Sequence, residues 1–88
     1  LSALTIGSLV LSPEFDADVV EYTTTTSNAT NTITATSTDE TAVVEILVGL
    51  TPVTNGTAAT WASGENIVTI TVTNGAVETV YTVTVTKE

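Results

Sequence analysis

The strongest constraint on this chain lies in its last quarter. Ile67-Val68-Thr69-Ile70-Thr71-Val72-Thr73 alternates apolar residues with Thr, and Tyr81-Thr82-Val83-Thr84-Val85-Thr86 repeats the alternation. Successive side chains of a strand point to opposite faces, so each segment reads as a half-buried strand. Between them stands Asn74-Gly75, the dipeptide best suited to the two positive φ angles of a type I′ turn. A two-residue loop at that point predicts that Thr73 faces Ala76, Val72 faces Val77, Ile70 faces Thr79 and Val68 faces Tyr81. Val68, Ile70, Val72, Val77 and Tyr81 then share one face, and Thr69, Thr71, Glu78 and Val80 share the other. A slip of one residue would scatter both sets.

Composition extends this reading to the whole chain. Thr fills 22 of the 88 positions and Val another 13. Both are β-branched, which restricts χ1, disfavours helix and suits a pleated surface. No segment carries a convincing helical period. Leu4 to Ile6 and Leu9 to Leu11 are short apolar pieces joined at Gly7-Ser8, and Pro13 stops the second because it cannot donate to a ladder. Glu21 to Thr25 is a candidate strand carrying Tyr22. Thr32 to Thr36 alternates with Ile33 and Ala35 inward. Val43 to Val48 alternates with Val44, Ile46 and Val48 inward, Val43 and Leu47 outward. Gly49, Pro52 and Asn55-Gly56 punctuate a loop or a second hairpin, Thr57 to Trp61 is a short strand, and Ser63-Gly64-Glu65 turns into the final hairpin. About seven short strands at this spacing predict an all-β, antiparallel two-sheet sandwich. A chain this short buries roughly 60–65% of its unfolded surface, enough for one domain over residues 1–88 and no second core.

Charge and missing residue types strike out several functions. Ten acids face the single base Lys87, for a formal net charge of -9, and there is no His, Cys, Met, Arg or Gln. Imidazole and thiolate catalysis and the usual zinc sites are therefore excluded. A phosphate backbone or an anionic membrane surface would be repelled, so neither nucleic acid nor membrane insertion is expected. The hydrophobic fraction of 42% is too high for a disordered acidic tail. No apolar run reaches the ~20 residues of a membrane helix, and no signal peptide is read at the start. Because the chain opens at Leu1 and closes in a strand-like pattern, it is expected to be one module of a longer protein.

The order of several elements resembles a known family. Leu11-Ser12-Pro13-Glu14-Phe15 followed by Tyr22, then Gly64-Glu65-Asn66 with Ile67, Ile70 and Val72, then Tyr81-Thr82-Val83-Thr84-Val85, are similar to the bacterial cadherin-like β-sandwich modules of the immunoglobulin-like superfold. The resemblance spans nearly the whole chain. Two places depart from it: Leu47 to Thr60 fits no family element, and the turn after Val72 is shorter than usual there. The resemblance implies an immunoglobulin-like sandwich on a secreted or cell-surface bacterial protein. It also implies a tandem repeat that serves as spacer or adhesive scaffold, with neighbouring domains of the same chain as its partners. Fold resemblance does not transfer a binding activity.

Scaffold roles account for the singled-out residues. Pro13 and Phe15 end the first strands and plug one end of the sandwich. Tyr22 and Tyr81 bury their rings and bring their hydroxyls to the rim. Asn66 bonds neighbouring backbone and holds the turn at Gly64, as Asn74-Gly75 holds the last hairpin. Glu14, Asp16 and Asp18 are calcium candidates, with Asp39 and Glu40 in another loop. A calcium site needs six to eight converging oxygens, and these acids read instead as solvated loop charge, with no cofactor. Trp61 is the one aromatic open to sugar stacking, and the core is the favoured place for it. A carboxylate pair could split glycosides across a cleft, but a two-layer sandwich of this length is expected to have little volume left for a cleft of several hundred cubic ångströms, so the chain is read as non-catalytic. An ester crosslink needs Gln, which is absent, and Lys87 stands too near the end for an isopeptide bond. Asn28-Ala29-Thr30 and Asn55-Gly56-Thr57 are formal glycosylation acceptors, expected by chance in a chain so rich in Thr. Two alternatives to the spacer remain: a glycan- or protein-binding accessory module working through loops such as Leu50 to Ala59, and a decorative domain of a phage virion.

Overall fold

The computed structural model describes residues 3–12, 14–16, 18–37 and 41–88. The expectations placed on Pro13, Asp39 and Glu40 lie outside the described residues. Among those described there are eight strands and no helix: β1 (Ala3–Ile6), β2 (Glu21–Thr26), β3 (Thr30–Thr36), β4 (Val43–Val48), β5 (Thr51–Val53), β6 (Thr57–Thr60), β7 (Gly64–Asn74) and β8 (Val77–Lys87). They form a three-stranded sheet in the order β1-β3-β6 and a five-stranded sheet in the order β2-β8-β7-β4-β5. The alternation of the sequence becomes the division between core and solvent. Leu4 and Ile6 of β1, Ile33 and Ala35 of β3 and Ala59 of β6 meet Tyr22, Ile46, Val68, Ile70, Tyr81, Val83 and Val85 of the other sheet in one buried cluster. Full burial of such side chains stabilises by roughly 1.5–3 kcal/mol each against leaving them exposed.

The final hairpin differs from expectation by two residues in register. Asn74 pairs with Val77, Val72 with Thr79, Ile70 with Tyr81 and Val68 with Val83. The loop is therefore Gly75-Ala76, not Asn74-Gly75. Gly75 has φ 61°, and among the described residues none other than glycine has positive φ. Positive φ at the first central position alone belongs to the type II′ turn, which asks for Gly there and nothing of Asn74. A shift of two preserves side-chain parity, so Val68, Ile70 and Tyr81 stay inward. Val77 does not reach the core: it sits at the tip and is 65% exposed.

Three further features differ. The expected strand at Leu9 to Leu11 is absent. That segment crosses between the sheets, buries Leu11 and pairs with β2 by backbone at an isolated Ser12–Thr23 bridge. The region from Leu47 to Thr60 resolves into a β4–β5 hairpin in which Val48 pairs with Thr51, followed by the turn into β6. Pro52 fits there because β5 is an edge strand. Finally, β2 runs parallel to β8, Glu21 opposite Thr82 through Thr26 opposite Lys87, in an otherwise antiparallel sandwich. This pairing turns Thr24 and Thr26 inward, where both are buried.

Register also places the ends of the fold. Ala3 pairs with Thr36, at the far end of β3 from Thr30. Lys87 pairs with Thr26 and Gly64, next to the Thr30 end. The start of β1 and the end of β8 therefore lie at opposite poles of a body measuring 38 × 25 × 17 Å.

Candidate functional site

The two sides of the sandwich are closed differently. On the β1–β2 side the crossing segment seals the core: Leu9, Phe15 and Val19 pack against it. The Phe15 ring stacks on Tyr22 with centroids 5.8 Å apart and planes 20° off parallel. The Tyr22 hydroxyl donates to the Asp16 carbonyl at 2.5 Å and accepts from the Asp16 N–H at 3.0 Å. This phenol thus ties the segment to β2, and the ring is buried as an apolar body with a polar tip. Thr24 Oγ1 adds a bond to the Val10 carbonyl at 2.9 Å.

The acids of this segment stay outside. Glu14, Asp16 and Asp18 are exposed. Asp16 Oδ1 accepts from the Asp18 N–H at 2.9 Å, a local turn bond that uses one of the candidate ligand oxygens. Among the described residues no three acids come together in a group fit to hold a metal ion.

Trp61 is buried, with its indole N–H donating to Asn31 Oδ1 at 2.8 Å, so it offers no stacking face to a sugar. Asn31 Oδ1 also accepts from Thr26 Oγ1 at 3.3 Å. Gly7 takes φ 57°, and a Cβ there would lie 2.7 Å from Asn31 Nδ2, so a side chain at this position would be strained and would displace the Asn31 amide. Asn66 is buried and makes four bonds to backbone. Its Nδ2 donates to the carbonyls of Ala62, Gly64 and Val85, and its Oδ1 accepts from the Ala62 N–H at 2.9 Å. Gly64 takes φ 91°, and the Asn66 amide fastens the bend on both of its sides.

Asn55 does similar work that its sequence context did not announce. Oδ1 accepts from the Ala35 N–H at 2.9 Å and Nδ2 donates to the Ala35 carbonyl at 2.6 Å. The side-chain amide continues the β3 ladder past the end of β6, as a backbone residue would. Its Nδ2, the atom a glycan would occupy, is already committed.

The β5–β6 side remains open. A cleft of about 580 Å³ lies between these strands, lined by Val48, Pro52, Val53, Thr57, Ala59 and Asn66 among others. This corrects the expectation that the sandwich has little volume left for such a cleft. Five strands face three, so the far edge of the larger sheet has no strand opposite it. The lining holds Val, Thr, Pro, Ala and Asn and no ionisable side chain, so no carboxylate pair bears on the space. Sequence reasoning missed the cleft because it depends on the unequal strand count of the two sheets, which in turn depends on β5.

Comparison with known families decides what the sandwich is. A family model of the cadherin-like beta sandwich domain matches residues 1–88, the whole chain. The chain belongs to the cadherin-like β-sandwich family. No curated protein and no solved structure matches it significantly. Cadherin-like immunoglobulin-type domains are generally non-catalytic and typically extracellular. No helix among the described residues of this cadherin-like domain is long and apolar enough to cross a membrane.

Proposed function

We propose that this cadherin-like domain is a non-catalytic structural or adhesive repeat of a bacterial cell-surface or secreted protein, joined to neighbouring domains of the same chain. One observation carries the reading: the start of β1 and the end of β8 lie at opposite poles of the long axis, as the pairings of Ala3 with Thr36 and of Lys87 with Gly64 require. Copies linked end to end would extend in line and not fold back. The chemistry agrees. The polar side chains best suited to a site, Tyr22, Asn31, Asn55, Asn66 and Trp61, hold the fold's own backbone and rings. No buried side-chain polar atom among the described residues lacks a partner.

Small-angle scattering on three copies in tandem tests the reading. The maximum dimension should grow with each added copy by close to the 38 Å long axis. A compact particle whose dimension hardly grows would overturn the spacer role.

A further inference from the structure

The open side of the sandwich presents two sheet edges, and they are unequal. Ala35 directs its N–H and C=O toward the β6 side, where Asn55 takes both, and the Ile33 carbonyl accepts from the Gly56 N–H. The odd residues of β3 therefore bond toward β6, and Ala59, opposite Asn31, bonds back, while the Thr57 N–H closes the turn on the Thr54 carbonyl. The Trp61 N–H donating to the Ala29 carbonyl follows the same parity. Ala58 and Thr60 consequently point their N–H and C=O groups outward, and among the described residues nothing pairs with them there. On β5 the outward position belongs to Pro52, which has no N–H, and the next outward carbonyl, that of Thr54, already accepts from Thr57. One edge is blunted in the way sheet edges are commonly protected, and the other is not.

A free edge alone is ordinary. Here a cleft of about 580 Å³ runs beside it, within the size range of ligand cavities. It occupies the place of a fourth strand in the three-stranded sheet, opposite β5. The immunoglobulin sandwich of constant type fills that sheet with four strands, and this chain supplies three.

We propose that the cleft is a strand-acceptor site, in which an extended segment of another polypeptide adds to β6 through Ala58 and Thr60. Its inward side chains lie on Val48, Val53 and Ala59, and Pro52 keeps β5 from competing for its backbone. Main-chain bonds to a sheet edge with alternate side chains in a groove are an established mode of peptide recognition. The lining carries no charge, so inward positions must be uncharged, because a buried charge there would have no partner. The net charge of -9 favours a segment with basic flanks and repels a second copy of this chain.

Titration of the isotope-labelled domain with a capped peptide, Thr and Val alternating between terminal lysines, tests the proposal by amide NMR. Saturable shifts are expected at Ala58, Thr60 and Thr51 to Thr54, with slowed exchange of the Ala58 and Thr60 amides. A twin peptide with terminal glutamates should bind several-fold more weakly. Ala58→Pro removes only an outward N–H, so it should abolish the shifts and leave the melting midpoint within about 4 °C of the parent. Methylation of alternate peptide nitrogens should abolish binding to the unaltered domain, which keeps the test valid even if Ala58→Pro fails to fold. The proposal is overturned by absence of shifts at millimolar peptide, by shifts elsewhere on the surface, or by undiminished binding of the methylated peptide. Concentration-dependent shifts without peptide, with a dimer in sedimentation, would show that a second copy is the occupant and overturn it equally.

Discussion

Asn66 shows how much one amide can carry. Its four backbone bonds close the bend at Gly64 and reach across to the Val85 carbonyl of β8. Asn66→Ala leaves these groups without partners in a buried place, and such truncations cost about 1–3 kcal/mol per orphaned group, with partial recovery from water. A loss of roughly 2–4 kcal/mol in urea unfolding is expected; less than 1 kcal/mol would show that water replaces the amide. Tyr81 makes a second prediction at this scale. Its ring is buried, and desolvation first, then the nearby Tyr22 and Asp18, raise its phenol above the ordinary value of 10.0. In alkali the unfolded chain gives up this proton before the folded one. Stability is therefore whole below about pH 10 and falls as pH rises from there through the raised pKa. Tyr81→Phe should flatten that alkaline limb in pH-dependent melts, whatever it does to stability at neutral pH. An unchanged limb would assign it to other groups.

Elements were legible to different degrees, and the reasons differ. In β7 and β8 the apolar set and the Thr set occupy opposite parities, so the inward faces of Val68, Ile70 and Tyr81 follow from local sequence. Register did not, because a two-residue shift keeps every face. What selects Gly75-Ala76 over Asn74-Gly75 is one positive φ in place of two, together with cross-strand pairing along eleven residues. Gly75→Ala should cost about 1 kcal/mol or more, since a Cβ is strained at that φ. A Gly75→Ala variant as stable as the parent would show that this position does not carry the positive φ of the turn. Face assignment has its own check in chemical denaturation. Ile70→Ala should cost roughly 2–4 kcal/mol and Val68→Ala somewhat less. Thr69, Thr71, Thr82 or Thr84 changed singly to Ser should cost a few tenths to about 1 kcal/mol. Equal losses in both sets would sink the assignment. In β2 the run Thr23-Thr24-Thr25-Thr26 has no period at all. Its inward Thr24 and Thr26 are chosen only by the parallel pairing with β8.

The whole molecule is a neutral core inside an acidic shell. With ten acids and one Lys, self-repulsion opposes the compact state and added salt screens it, over about 10 Å at 0.1 M. The melting midpoint should therefore rise between low salt and physiological salt. Calcium and magnesium should raise it equally at matched ionic strength, since Glu14, Asp16 and Asp18 do not gather into a metal-holding group. A calcium-specific increase would show that a site forms. The unequal sheets matter at this scale too. The crossing segment held by Tyr22 closes one side, while the opposite side keeps its cleft because three strands cannot cover five.

The sequence by itself determined the class of fold, the parity of the long strands, the family and the exclusion of His, Cys and Arg chemistry. These follow from composition and from a period of two, which are properties of neighbours along the chain. Only the tertiary structure decided the hairpin register, the inward Thr24 and Thr26, the strand β5, the backbone clamps of Asn55 and Asn66 and the open edge at Ala58 and Thr60. Each of these rests on a partner distant in sequence. Which carbonyl an amide reaches, or which strand end is left uncovered, is settled only when both sheets are assembled.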